Sequence, residues 1–381
     1  MTAPFFLDAH LDLALNALEW NRDLTRPIAE IRAAEAGLRD KPGRGRGTVC
    51  LPEMRRGRVG LAVVTQLARV NHNEGHNPVA VWRSPAQAWA MTQAQLAWYR
   101  ALEEAGEIKM IASRADLESH VALWQSGDSH RCGAAVPAAP HDFPGAFNHS
   151  HSQVIGCILS LEGADSLLTP GHLERAYAQG LRALGLSHYG PGRYAQGTNS
   201  TGGLPSLGHE LLKEMERLGM ILDVTHLSDD CFWQALEIFS GPVWASHHNC
   251  RALAPHQRQL ADDQIRALLE RDAVIGAAMD GWMIAPGWVQ RQTTSAERGL
   301  RLEQLVKHID HICQIAGNTR HTGLGSDLDG GFGGEQTPCD LDTIGDIGRL
   351  FDLLIARGWS AEDLANFAHG NFLRVLRRAL L

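Results

Sequence analysis

Short apolar runs alternate with longer segments of helical period along most of this chain, and six of the runs finish on a His, Asp or Glu. Residues 154–161 lead to Glu162, 181–187 to His188, 220–225 to His226, 243–246 to His247, 274–279 to Asp280 and 322–326 to Asp327. Strand-like runs punctuated by helical patterns predict a parallel sheet wrapped by helices. Upstream, strands are expected at 5–12, 60–68 and 108–112, and helices at 28–39 and 85–105, with Ser113 capping the helix that follows. Further helices are expected at 170–179, 209–218, 228–239, 261–271 and 297–316, and three more at 343–356, 360–368 and 371–380 close the chain.

In a (β/α)8 barrel the C-terminal strand ends share one rim, where residues far apart in sequence meet. The first strand ends in His10-Leu-Asp12, and side chains two apart on a strand project from one face. Such a pair suits a borderline divalent cation such as zinc. On a barrel, His10, Asp12, Glu162, His226, His247 and Asp327 would converge. Ionisable groups at the ends of apolar strands are costly to bury unless paired or metal-bound. Three imidazoles and three carboxylates suffice for two cations, with Glu162 the natural bridge, since one carboxylate can offer an oxygen to each. Two ions can hold a hydroxide between them and polarise the bond it attacks, so the chemistry implied is hydrolysis.

Composition narrows the field. The length of 381 residues fits one barrel with decorations, and residues 1–381 read as a single domain. Residues 126–152 break the rhythm with Gly, Pro and four histidines (His130, His141, His149, His151), and read as a loop insertion. A net charge of −8, with no long Lys or Arg run, speaks against nucleic acid or an anionic membrane as partner. Seven scattered cysteines without a CxxC pair suggest a reducing compartment. No run approaches the roughly 20 apolar residues of a membrane span, and no basic region precedes the first apolar run, so a cytoplasmic protein is expected. The oligomeric state stays open, a homodimer included.

The segments Asp8-Ala-His-Leu-Asp12, Ser160-Leu-Glu-Gly163, Leu184-Gly-Leu-Ser-His188, Leu222-Asp-Val-Thr-His226-Leu-Ser228, Pro242-Val-Trp-Ala-Ser-His247 and Gly325-Ser-Asp-Leu-Asp-Gly330 run in one order along the chain. In that order the chain resembles the membrane (renal) dipeptidase family of the amidohydrolase superfamily. The resemblance implies a metal-dependent amidohydrolase-type (β/α)8 TIM barrel with C-terminal helices and two divalent metal ions, zinc foremost. It implies His10 and Asp12 on one ion, His226 and His247 on the other, and Glu162 bridging. By the same route His188 would touch the substrate near its scissile carbonyl, and Arg258, eleven residues beyond His247, would pair with the substrate carboxylate. Arg251 lies nearby in sequence as the alternative. A guanidinium suits the task because it grips a carboxylate through two parallel hydrogen bonds.

Three features depart from the family pattern. Ala164-Asp165 follow the Glu-Gly pair, Ala278-Met-Asp-Gly-Trp-Met283 is unlike the usual seventh-strand segment, and the His-rich insertion has no counterpart. The function expected is a zinc-dependent dipeptidase that tolerates a D-residue at the C-terminal position and acts through a metal-bridging hydroxide, with Asp327 carrying the proton to the leaving amine. The alternatives are hydrolysis of another small amide, such as an N-acyl amino acid or a lactam, and a metal-binding barrel without catalysis. Barrel phosphoesterases usually open on His-x-His, against which the His-x-Asp here speaks.

Overall fold

The computed structural model describes residues 4–70, 80–126, 154–289 and 292–380. The expected insertion at 126–152, with its four histidines, lies outside the described residues from position 127 onward.

Eight parallel strands make the ring: β1 (Phe6–Leu11), β2 (Val59–Gln66), β3 (Ile155–Glu162), β4 (Leu181–Gly185), β5 (Ile221–Asp223), β6 (Val243–Trp244), β7 (Ile275–Ala277) and β8 (Thr322–Leu324). They pair in the order β7-β8-β1-β2-β3-β4-β5-β6. A parallel bridge between Ala245 and Ile275 joins the two ends, so the sheet closes on itself. Glu162 stands opposite Gly185, Gly185 opposite Asp223 and Asp223 opposite Trp244, which brings the exits of β3 to β6 to one level. The expected strand 108–112 forms as Ile108–Met110, but it pairs with the first half of β3 outside the ring.

Two layers of apolar packing hold the barrel. Leu7, Ala9, Leu61, Val63, Ile158, Ala183, Ile221 and Trp244, from six of the strands, form one cluster with Phe372, Val375 and Leu376 of the last helix. Burying each of the larger side chains contributes about 1.5–3 kcal/mol. Val59, Val64, Leu159, Leu184, Leu222 and Val243 belong to the second cluster, shared with the surrounding helices. The C-terminal run seals the ring at the end away from the strand exits. Phe372 meets Trp244 edge-on at 5.8 Å, His369 packs on Phe5 at 4.3 Å, and the Asn371 amide donates to the carbonyls of Thr319 (2.9 Å) and Thr322 (2.8 Å) at the start of β8.

Several elements differ from expectation for local reasons. The helix expected at 297–316 is two, Ser295–Arg298 and Leu302–Ala316, because Gly299 turns left-handed at φ +58° and ends the first. The last two expected helices are one continuous path, Ala361–Ala365 and Asn371–Ala379 joined by a π-turn at Asn366–Gly370. Ser113 caps Arg114–Gln125 as expected, its hydroxyl accepting the N–H of Asp116. Three short α-helices, Leu13–Glu19, Leu51–Arg56 and Gly281–Ile284, were not foreseen.

Candidate active site

Two buried aspartates set the backbone of the rim before any functional side chain is considered. Asp8 Oδ1 accepts the N–H of His10 (3.2 Å) and of Ser326 (2.9 Å), and so ties the exit of β1 to that of β8. Asp223 Oδ1 does the same for β5 and β6, accepting from Thr225 (3.0 Å) and Ser246 (3.1 Å). Each bond falls on or beside a residue of the site: His10, Asp327, His226 and His247. A Cβ on Gly276 or Gly325 would collide with the carbonyl oxygen of Ser246, so these glycines let β7 and β8 close around the exit of β6. His226 (φ +70°) and Asp327 (φ +57°) adopt the left-handed region. That conformation costs about 1–3 kcal/mol per residue and concentrates at functional positions.

The predicted ligands converge. Glu162 Oε1 lies 3.1 Å from His226 Nε2, 3.5 Å from His247 Nε2, 3.7 Å from His10 Nε2 and 3.8 Å from His188 Nε2. His10 Nε2 is also 3.8 Å from Asp12 Oδ1 and 3.8 Å from Asp327 Oδ1. β1 stops at Leu11, so Asp12 reaches the site from the start of the helix Leu13–Glu19 rather than from the strand pleat. The Thr65 hydroxyl holds Asp12 Oδ1, and Tyr99 locks the segment by donating to the Thr65 carbonyl (2.9 Å) while accepting the N–H of Ala14 (3.2 Å).

Around this cluster lies a cavity of about 280 Å³, lined by Arg69, Tyr189, Arg258, Asp280 and Trp282 among others. Arg258 is 2% exposed and donates from Nη2 to the His247 carbonyl at 2.9 Å. Its Nε and Nη1 are buried without a hydrogen-bond partner among the described residues. Arg251 is elsewhere, gripping Asp229 through two bonds of 2.9 and 2.7 Å, and does not line the cavity. Arg69, Tyr189 and Trp282 carried no signal in the sequence: Arg69 opens the two-residue strand Arg69–Val70, Tyr189 lies just beyond β4 and Trp282 is inside the one-turn helix Gly281–Ile284, with no spacing to mark any of them.

Burial shifts the ionisable groups of the site toward their neutral forms. Burial pushes the Glu162 and Asp327 carboxyls well above the usual range, and the Asp12 carboxylate pushes both further. Burial raises Asp12 to about 6, against the pull of the Thr65 hydroxyl. Burial pulls His10 down to about 3, and His188, His226 and His247 well below the usual imidazole value. Neutral imidazoles keep a lone pair for a ligand. Among the described residues, His10 Nε2 and Glu162 Oε2 are buried with no hydrogen-bond partner. Three groups among the described residues have ligand atoms within 4.8 Å of one another: His10, Glu162 and His247; Glu162, His188 and His226; His10, Asp12 and Asp327. Nitrogen and carboxylate oxygen donors with partnerless buried atoms fit divalent cations of the zinc type.

Comparisons with known proteins agree with this geometry. The sequence model of the membrane dipeptidase family, peptidase family M19, matches residues 138–380. An uncharacterised dipeptidase of Schizosaccharomyces pombe is 30% identical over 226 residues, which cover 58% of this chain and 52% of that protein, so the chain spans about half the length of this relative. The fold matches a crystal structure of a dipeptidase AC, a metallopeptidase of family M19, with a TM-score of 0.75 at 21% identity, covering 100% of this chain and 99% of that one. It also matches a metallopeptidase of Rhodobacter sphaeroides, solved with a phosphinate mimic of the dipeptide L-Ala-D-Ala, with a TM-score of 0.75 at 20% identity and 99% of both chains covered. With the ring of parallel strands and the cluster at its rim, the match over residues 138–380 makes this chain a member of the membrane dipeptidase family, peptidase family M19.

Proposed function

We propose that this protein is a metal-dependent dipeptidase holding two divalent cations, preferably zinc, in the rim cluster. One observation carries the reading: Glu162 Oε1 lies within 3.1–3.8 Å of four imidazole Nε2 atoms in a cavity that also receives the buried Arg258. His10 and Asp12 would hold one cation, His226 and His247 the other, and Glu162 both. When bound, such cations would supply Lewis acidity and a hydroxide nucleophile at neutral pH.

The chain's own residues supply the rest. Arg258 offers buried donors to the substrate carboxylate, and its guanidinium is held in place by the His247 carbonyl. His188 stands beside Glu162 at 3.8 Å, where a ring N–H can stabilise negative charge developing on the scissile carbonyl oxygen. Asp327, raised by burial and by the Asp12 carboxylate, takes the proton of the attacking hydroxide and delivers it to the leaving amine. A carboxylate anchor at fixed distance from the reacting bond selects short peptides, because a longer chain would carry its terminus past Arg258. Tolerance of a D-residue at the C-terminal position is part of the reading, supported by the L-Ala-D-Ala mimic bound to the Rhodobacter metallopeptidase. A reducing, cytoplasmic setting is supported by the six free cysteines among the described residues. Among those residues no helix is long and apolar enough to cross a membrane.

The test is steady-state assay of the purified protein, with elemental analysis for zinc, against L,L and L,D dipeptides, N-acyl amino acids and a lactam. Turnover of both dipeptide classes with two zinc equivalents per chain is expected. Turnover confined to the N-acyl or lactam panel would move the assignment to another amidohydrolase, and no turnover by the zinc-loaded protein would leave a binding protein.

A further inference from the structure

Asp280 is the one acid of the cavity that the proposed chemistry leaves unused. It follows β7, in the segment Ala278-Met-Asp-Gly-Trp-Met283. It lines the cavity together with Arg258 and Asp327, is only 7% exposed, and its Oδ1 has no hydrogen-bond partner among the described residues. Asp280 belongs to none of the three groups whose ligand atoms lie close enough to share a cation. A metal role is therefore not what places it there.

A buried carboxylate oxygen without a partner is costly, and the cost is recovered when a donor or a cation arrives. Beside Asp280 the wall is aromatic: Trp282, met edge-on by His256 at 5.0 Å, and Tyr189 also line the cavity. Trp282 hydrogen-bonds the Asp280 carboxylate and so holds it in place, and a carboxylate in a cavity that also carries an indole and a phenol ring is a surface that attracts ammonium or guanidinium groups. The charge balance points the same way. Asp12, Glu162, Asp280 and Asp327 face the cavity against the guanidiniums of Arg69 and Arg258. Two divalent cations would engage Asp12 and Glu162, and a substrate carboxylate would engage Arg258, so Asp280 is an acid of the cavity to which the proposed chemistry gives no cationic partner.

Resting on the dipeptidase reading, we infer that Asp280 forms a cation-accepting subsite, pairing with a positively charged nitrogen of the substrate, either its α-ammonium or a lysine-type side chain. Burial raises the Asp280 carboxyl to about 7, so it titrates near neutrality and is held ionised once a cation sits against it.

The test uses zinc-loaded wild type and Asp280→Asn, with calorimetric Kd values for phosphinate isosteres of alanyl-alanine, N-acetyl-alanyl-alanine and alanyl-lysine. Initial rates on alanyl-alanine are measured alongside. An α-ammonium contact weakens both free-amine isosteres about tenfold in the variant and leaves the acetylated one equal in the two proteins. A side-chain contact weakens only the lysine isostere. Equal loss for all three ligands, no loss for any, or no binding by wild type overturns the subsite. Because binding is read without turnover, absence of alanyl-alanine hydrolysis counts against the dipeptidase reading alone. Asp280→Ser, which removes the charge with a smaller side chain, is the second variant should Asp280→Asn fail to fold.

Discussion

His226 and His247 turn their Nε2 atoms toward each other at 3.3 Å, while their Nδ1 atoms meet the hydroxyls of Thr198 (2.8 Å) and Ser246 (2.9 Å). Two unprotonated ring nitrogens at that separation repel, and a shared cation or proton removes the repulsion. With Nδ1–H donated to the hydroxyl, each ring presents its Nε2 lone pair to the cavity, the arrangement in which outer hydrogen bonds orient metal-binding imidazoles. Thr198→Val removes the hydroxyl at nearly constant volume. Its metal affinity is expected to fall about 10–100-fold, measured by competition against a chromogenic chelator; unchanged affinity would free His226 from any dependence on Thr198.

Asp327 sits at φ +57°, with its carboxylate 3.8 Å from His10 Nε2. Asparagine tolerates the same left-handed backbone and has the same shape, so Asp327→Asn alters proton transfer with little change elsewhere. The variant is expected to keep wild-type metal content and lose about 10²–10⁴ in kcat. A near-normal rate with full metal would remove Asp327 from the proton path.

Much of this arrangement was legible in the sequence, and the reason is energetic. Glu162, His226, His247 and Asp327 end apolar runs, where an ionisable group is unaffordable without a partner, so their positions announced a shared site. Strand lengths were less legible: the run 220–225 gives only Ile221–Asp223, because the last residues leave the ladder and curl into the rim, His226 in a left-handed turn. Asp8 and Asp223 were missed as rim clamps, since an aspartate that accepts backbone N–H groups looks in sequence like any strand-end acid. Arg258 comes from a loop eleven residues beyond His247, and only the fold separates it from Arg251.

That separation can be measured. Arg258 is buried and faces the cavity, whereas Arg251 is paired with a partly exposed Asp229. Truncating one member of a buried charge pair commonly costs 2–5 kcal/mol or more, so Arg258→Ala should lower kcat/KM for dipeptides about thirtyfold or more. Dipeptide amides, which lack the carboxylate, should be poor substrates of wild type and lose little further in the variant. Arg251→Ala removes a surface pair worth at most about 1 kcal/mol of stability and should leave the ratio of dipeptide to amide turnover unchanged. The opposite pattern in the two variants would give the carboxylate to Arg251.

Metal affinity should rise with pH, and the direction follows from which groups hold protons in the metal-free protein. The imidazoles of His10, His226 and His247 are already neutral near pH 7, since burial depresses them, and they release nothing on binding. The carboxyls behave oppositely: burial raises Asp12 to about 6 and Glu162 well above the usual range, so the metal-free site retains protons that a cation must displace. Binding therefore releases protons, and affinity climbs as pH rises through about 6, with the Glu162 proton extending the climb beyond. Calorimetric zinc titrations in buffers of different ionisation enthalpy count the protons released. Wild type should release more than Glu162→Gln, which cannot carry that proton and should also bind less metal. Equal release by the two proteins would mean that Glu162 is already ionised before the metal arrives.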